Sequence, residues 1–309
     1  MTKPSKFICP TCQGDLSFHE NENYYACLNC NTEFPIVSDI PRFLTGDNYT
    51  DSFGFQWNIH RRTQLDSYTG LSISSDRVRA ITGWSERTNL KKSTILEAGS
   101  GAGRFTEIIL KTGATVVSFD FSSAVEANFL NNGRHKSLSL FQGDIFSLPL
   151  QKASFDYVMC LGVLQHTPNP KTALGELSKM VKPGGKIFID VYSNNILHIL
   201  HWKYLLRPLT KVLDKRLLYK LVCMVTPVFI PLSKLLKLFF GRFGARIVPI
   251  VEFSNLGLTA DINREWAILD TFDMYSPKYD KPASKASVET WLLACGFTDI
   301  TVKYGANGI

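Results

Sequence analysis

The sequence predicts an α/β fold, a doubly wound parallel sheet with helices on both faces, carrying a small metal module in front and a helical insertion behind. Three observations predict it. Residues 95–105, ILEAGSGAGRF, run from an apolar strand through Glu97 into a turn with glycines at alternate positions, and a helical pattern begins at Phe105. Strand, tight turn and helix in that order place a nucleotide-sized ligand at the turn. Further apolar strands follow at regular intervals, each ending at a polar loop. Two C-x2-C pairs stand near the N-terminus. A chain of 309 residues has room for a small unit and a large one, and 45% hydrophobic with 20% charged residues is a globular composition.

Residues 1–46 form the first expected unit. Cys9, Cys12, Cys27 and Cys30 have the C-x2-C, spacer, C-x2-C arrangement that holds one tetrahedral Zn²⁺ through four thiolates. Four protein ligands leave no open position, so the expected role is structural. The metal replaces a core that so short a segment cannot build. A disulfide reading is the weaker one, because MTKPSKFICP is polar and lacks the apolar run of a secretory leader. Cys160, Cys223 and Cys295 lie scattered in apolar contexts and read as core thiols. His19 reads as a surface residue. The whole stretch, down to its F-P-I-V-x-x-I-P-R-F-L ending, resembles a Trm112-like zinc ribbon. In that family such ribbons sit beside methyltransferase domains as partners or fused modules.

Residues 47–92 are too rich in aromatics for a linker: DSFGFQWNIHRRTQLDSYTG carries Phe53, Phe55 and Trp57 among Gln56, His60, Gln64 and Asp66. The expectation is a helical lid over the ligand, with ordinary packing of the aromatics as the other reading. A small helix within SSDRVRAITGWSERT follows. The FGxQW…QLDS pattern resembles a bacterial methyltransferase subfamily tied to glycan and natural-product pathways.

Residues 93–194 form the expected core. A dinucleotide fingerprint needs a third glycine at position 104, where Arg104 stands, and no Walker lysine is present. The E-x-G-x-G-x-G pattern resembles motif I of the class I S-adenosylmethionine-dependent methyltransferases. TVVSFD then ends a strand at Asp120, FQGDIFSLPL ends one at Asp144, SFDYVMCLGVLQHTPNP gives a fourth strand and its loop, and ALGELSKMVKPGGKIFIDVY gives a helix, a KPGG turn and a fifth strand. The resemblance implies a Rossmann-like core that binds S-adenosylmethionine. Gly99, Gly101 and Gly103 let the backbone approach, and the following helix N-terminus favours the donor's carboxylate. Asp120 takes the ribose hydroxyls and Asp144 the adenine amino group, with Ile145 packing on the base. Ser100, Phe121 and Leu161 belong to the same wall, and Glu97 orients the turn. Both aspartates also fit plain turn or cap roles, which stay open.

Residues 195–258 form a basic helical cap. Over 195–250 ten Lys and Arg face one acid, Asp214, a local charge of +9 against +7 for the whole chain. The high isoelectric point thus belongs to this insertion. Three readings are open: a substrate cap with solvated lysines, a basic amphipathic surface for a membrane or a lipid-linked or phosphorylated substrate, and an RNA-binding face. The prolines at 208, 227, 231 and 249 are expected to break the helices. The longest apolar run, 221–232, is too short to cross a bilayer.

Residues 259–309 complete the core. EWAILDTFDMYSPKYDKPAS reads as a polar loop carrying Asp270, Asp273 and Tyr275, and SVETWLLACGFTDITVKY as helix, glycine turn and strand. Methyl transfer to a hydroxyl or ammonium needs a base. His166, in the loop after the fourth strand, is the expected one, with Gln165 and Tyr275 positioning the acceptor; the other readings are that His166 only shapes the cofactor loop and that the late segment is a turn held by its Asp side chains. His60 is a weaker choice. The expected function is methyl transfer from S-adenosylmethionine to an oxygen or nitrogen of a small-molecule, sugar or lipid-linked acceptor, by a cytoplasmic enzyme with peripheral membrane contact as a second possibility. An RNA-modifying enzyme and a non-catalytic S-adenosylmethionine-binding scaffold are the alternatives. Oligomeric state and acceptor are not encoded in any motif.

Overall fold

The computed structural model describes residues 7–44, 49–85, 87–194, 202–244, 246–305 and 308–309. The first seven residues of the expected cap, 195–201, lie outside them, as does the side chain of Arg242.

Nine strands form one sheet. The four N-terminal strands, β1 (Leu16–His19), β2 (Tyr24–Cys27), β3 (Glu33–Val37) and β4 (Ile40–Phe43), pair antiparallel in chain order as a short meander. The core strands are β5 (Thr94–Ala98), β6 (Thr115–Asp120), β7 (Leu138–Gly143), β8 (Phe155–Leu161) and β9 (Val181–Asp190). The spatial order is β1-β2-β3-β4-β7-β6-β5-β8-β9, and β4 through β9 run parallel. Strands such as TVVSFD are apolar without alternation because helices cover both faces of a parallel sheet.

The cysteine module is therefore continuous with the core. Arg42 and Phe43 of β4 register with Gln142 and Gly143 of β7. The Arg42 guanidinium donates to Gln142 Oε1 at 2.9 Å and to Glu126 at 3.0 Å. Phe43, fully buried, packs on Phe7 and Phe141 with ring centroids 4.9 and 5.8 Å away. This contact gives the IPRF ending of the cysteine module its place in the sheet.

Helices α1 (Asp51–Ile59), α2 (Asp66–Thr69) and α3 (Ile73–Thr82) precede β5. Helices α4 (Arg104–Lys111), α5 (Ala124–Asn132) and α6 (Pro170–Ser178) connect the parallel strands. The insertion folds as α7 (Trp202–Thr210) and α8 (Lys215–Gly244), and the chain ends with α9 (Ala260–Tyr275) and α10 (Lys285–Ala294).

Four expectations are corrected here. Pro227 and Pro231 do not break the cap: they lie inside α8, which stays helical up to Gly241, where φ is 56°. Each proline removes one backbone donor, a cost the remaining turns absorb. The helix Lys215–Gly241 is consequently long and apolar enough to cross a membrane by length and composition, contrary to the short apolar run read from sequence. The segment after β9 and the cap, read as a polar loop, is the helix α9. The Thr259 hydroxyl caps it by accepting from Ile262 N, and Trp266, Leu269 and Phe272 form a buried face. The strand expected after Gly296 does not form; instead Ile309 exchanges two backbone hydrogen bonds with Val191 at 2.9 Å.

The cap's lysines are also not all solvated. Lys203 pairs with Asp280 at 2.7 Å, Arg207 is buried against the same carboxylate, and Lys237 pairs with Glu252. Acids from outside the basic run neutralise part of it.

Candidate active site and metal cluster

The glycine turn is built by β5 and β6. Gly99 N and Ser100 N donate to Phe119 O at 2.9 and 3.0 Å, and Gly101 N donates to Asp120 Oδ2 at 2.8 Å. Gly99 and Gly101 have φ of 75° and 52°, where a side chain is strained. A Cβ on Gly99 would strike Val163, and one on Gly101 would come within 3.4 Å of the Trp57 ring. Asp120 Oδ1 accepts from Ser122 N at 2.8 Å and Ser122 Oγ at 2.6 Å. Asp120 and Asp144 sit back from bulk water, which raises both pKa values.

One cavity of about 720 Å³ runs from this turn to the cap. Its walls include Gly99, Ser100, Gly101, Asp120, Phe121, Asp144, Ile145, Leu161 and His166. The Ser100 hydroxyl on this wall is buried without a hydrogen-bond partner.

Four residues expected at the site do not reach it. Glu97 lies behind the turn, where its Oε2 accepts from Thr106 and Ser118 hydroxyls. Burial pushes its pKa up to about 7. Gly103 faces α5, and a Cβ there would strike Asn128 and Asn132; it permits helix packing rather than ligand approach. Gln165 is fully buried off the cavity, with neither side-chain polar atom hydrogen-bonded. Tyr275 points towards the cap, its hydroxyl donating to Pro249 O at 2.8 Å.

The other half of the cavity is polar: Arg77, Arg104, Tyr192, Lys203, Asp270 and Asp273 line it. Gln56 Nε2 donates to Asp273 at 2.8 Å, and Gln64 Nε2 donates to Asp270 at 2.9 Å while its carbonyl accepts from Arg104. Asp66 accepts from the N–H groups of Ser74 and Ser75 at 2.8 and 2.9 Å, opening α3. The QW…QLDS stretch is thus a brace: Trp57 over the glycine turn, two glutamines on the acids of α9, and an aspartate capping the next helix. Asp270 is raised to about 7 by burial and by the Asp273 charge, opposed by Arg104. Burial and the Arg77 charge push Arg104 down to about 9, which leaves it cationic. Arg77 is held by Asp190, whose other oxygen accepts from Gly162 N. Arg77, Arg104, Tyr192 and Lys203 were not singled out as site residues from sequence. Arg104 alone carries a local signal, an arginine in the place of a fingerprint glycine.

His166 is buried between Phe53 and Tyr192, with ring centroids at 5.0 and 5.5 Å. Its Nδ1 lies 3.0 Å from Tyr279 O. A carbonyl only accepts, so Nδ1 carries the proton and Nε2 keeps a lone pair. Burial lowers the pKa, which keeps the ring neutral near pH 7. His60 lies elsewhere, with Nε2 2.8 Å from the Tyr219 hydroxyl and Glu265 on its other side. It ties α1 to the cap.

In the N-terminal module the Sγ atoms of Cys9, Cys12, Cys27 and Cys30 all lie within 4.8 Å of one another, and all four thiols are free. The Cys9–Cys30 and Cys12–Cys27 separations are 3.6 and 3.4 Å. A tetrahedral ion with Zn–S bonds of about 2.3 Å sets its sulfurs about 3.8 Å apart, so the cluster fits.

A methyltransferase domain family model matches residues 96–189. The chain is 32% identical over 113 residues to a ubiquinone biosynthesis O-methyltransferase of Pseudomonas fluorescens SBW25, covering 36% of this chain and 49% of that one. It is 30% identical over 112 residues to the corresponding Coxiella burnetii enzyme, covering 36% and 48%. The chain spans about half the length of these curated relatives. Among solved structures, a chain from the complex of the Haloferax volcanii Trm112 methyltransferase activator with a methyltransferase aligns at 21% identity and a TM-score of 0.41, over 50% of this chain and 66% of that one. Glycine turn, acid-ended strands and family match converge on one stretch: residues 96–189 are a methyltransferase domain of the class I, S-adenosylmethionine-dependent family.

Proposed function

We propose that this protein transfers the methyl group of S-adenosylmethionine to an oxygen or nitrogen of a small-molecule acceptor, a sugar or lipid-linked molecule included. One observation carries the reading: the glycine turn with Asp120 and Asp144 shares a single cavity with a polar wall of mixed charge. The residues present fit the donor. The bare backbone of Gly99 and Gly101, the unpartnered Ser100 hydroxyl and the two carboxylates offer contacts for a ribose, an adenine and an amino acid end. Asp120 keeps capacity for the ribose hydroxyls, since a carboxylate accepts about four hydrogen bonds. Asp144 would take the adenine amino group, with Ile145 on the base. Arg77 and Arg104, on the polar half of the cavity, suit the carboxylate.

When bound, S-adenosylmethionine supplies a methyl group on a cationic sulfur, an electrophile for in-line displacement. The chain's own work is then to place the acceptor and take its proton. Neutral His166 has the free Nε2 lone pair for that step, and its Nδ1 bond to Tyr279 O fixes the tautomer. Asp270 also titrates near neutrality, and Gln64 and Trp266 hold it in place at 2.9 and 3.1 Å. It offers a second proton acceptor lining the same cavity. The O-methyltransferase relatives favour an oxygen acceptor. Cys9, Cys12, Cys27 and Cys30 are proposed to hold one structural Zn²⁺.

Calorimetry with S-adenosylhomocysteine tests the donor assignment. The wild-type chain is expected to bind it, and Asp120→Ala to lose roughly 10- to 100-fold in affinity, the worth of a charged hydrogen bond. Unchanged affinity in the variant would remove Asp120 from the site, and no binding by the wild type would end the reading.

A further inference from the structure

Helix α8 is apolar on its outer face as well as on its inner one. Its inward face, Leu218, Val222, Thr226 and Ser233, is buried, with Leu218 and Val222 in one cluster with Phe272 and Tyr275. The outward face should then be polar. Instead Leu217, Leu221, Met224, Val228, Leu232, Leu235 and Phe239 stand exposed at spacings of three and four. They form a stripe of about 33 Å at 1.5 Å per residue. Val228 is 72% exposed, Leu238 80% and Phe239 70%. Leu205, Leu209 and Val212 extend the apolar surface at one end, and Phe240, Phe243 and Ile247 at the other. Only 17% of the most apolar window of α8 is buried, so this is not the core helix of a globular domain. A surface of this size in a folded chain marks a contact.

We infer that this face lies on an anionic membrane surface. The charges choose this occupant. Arg216, Lys220 and Lys234 are exposed, and each stands one residue before a member of the stripe, about 100° around the helix. They border the apolar stripe along one edge, the pattern of a helix lying in a lipid headgroup layer. No acid occurs between residues 215 and 246. A two-fold contact with a second copy would bring cation edge against cation edge, whereas anionic headgroups neutralise it. The helix lies in the interface and does not cross it, because its inner face is packed along α9. The site is adjacent: Lys203 and Tyr204 of α7, and Val251 and Phe253 just after α8, line the active-site cavity. An amphiphilic acceptor could pass from bilayer to cavity along this face. Docking itself stands apart from the donor reading, and the two are measured separately.

The full chain is tested by flotation with phosphatidylcholine vesicles, with and without phosphatidylglycerol. Binding to the anionic vesicles, weakened by salt, is expected. Three substitutions together, Arg216→Gln, Lys220→Gln and Lys234→Gln, are expected to weaken it on the order of 100-fold, roughly fivefold per charge. Val228→Glu with Phe239→Glu is expected to abolish it. All variants should retain S-adenosylhomocysteine binding, which separates loss of docking from loss of fold and from failure of the donor assignment. Absence of vesicle binding by the wild type would overturn the inference. So would a lipid-free dimer in sedimentation velocity that the Val228→Glu, Phe239→Glu variant dissociates.

Discussion

Burial sets the protonation state of two groups in and behind the site, Glu97 and His166. Glu97 is raised to about 7 in the folded chain against an ordinary 4.5, so its contribution is complete below pH 4.5 and lost as pH rises through 7. Glu97→Gln keeps an acceptor for Thr106 and Ser118 without the buried charge. It is expected to stabilise the protein at pH 8 by on the order of 2 kcal/mol and by much less at pH 5, read from denaturant unfolding at both pH values. His166 shifts the other way. Its lowered pKa means that the unfolded chain takes up a proton that the folded chain refuses, so this residue costs stability as pH falls below about 6.5. In a histidine NMR titration its midpoint should fall below that of an ordinary histidine, and His166→Ala should remove that resonance and cut turnover roughly 10²- to 10⁴-fold. Gly99→Ala meets both a positive φ and Val163, and should lower stability by about 1–3 kcal/mol in thermal unfolding.

Helix α1 and the residues after it act as a brace between the glycine turn and α9. The hydrogen bonds from Gln56 to Asp273 and from Gln64 to Asp270 join residues more than 200 positions apart, and Trp57 closes over Gly101. Trp57→Ala opens that wall without removing a buried core residue. Its expected effect is roughly tenfold weaker S-adenosylhomocysteine binding, from about 1.5 kcal/mol of lost apolar cover, with the far-ultraviolet circular dichroism unchanged. The same brace holds the raised carboxyl of Asp270 in the cavity that His166 also lines. The α9 helix therefore places both acids, a role the sequence pattern hid because its aromatic and acidic residues read equally well as a loop.

The whole molecule is one sheet from the cysteine module to β9. Cys9, Cys27, Phe34 and Phe43 belong to the same apolar cluster as Phe119 and Phe141. A metal held by the four cysteines would accordingly stabilise the catalytic core as well as its own hairpins. Chelation is expected to shift a single cooperative transition to lower temperature in calorimetry. A core transition that stays in place while the module alone melts would show the two to be independent.

Much of the site was legible because some chemistry is local. Alternate glycines encode a backbone that bends and lets a ligand approach, paired CxxC knuckles encode a metal-sized cage, and an acid at a strand end marks a loop mouth, all within a few contiguous residues. Tertiary structure decided the rest. It set Glu97 and Gly103 behind the turn, sent Tyr275 to the cap, recruited Arg77, Arg104, Tyr192 and Lys203 to the wall, and neutralised part of the basic run with acids from elsewhere. It also carried α8 through its prolines, leaving an apolar face outward. The division has one physical cause: conformation and ligand type follow from neighbours along the chain, whereas burial and charge pairing depend on partners that only folding brings together.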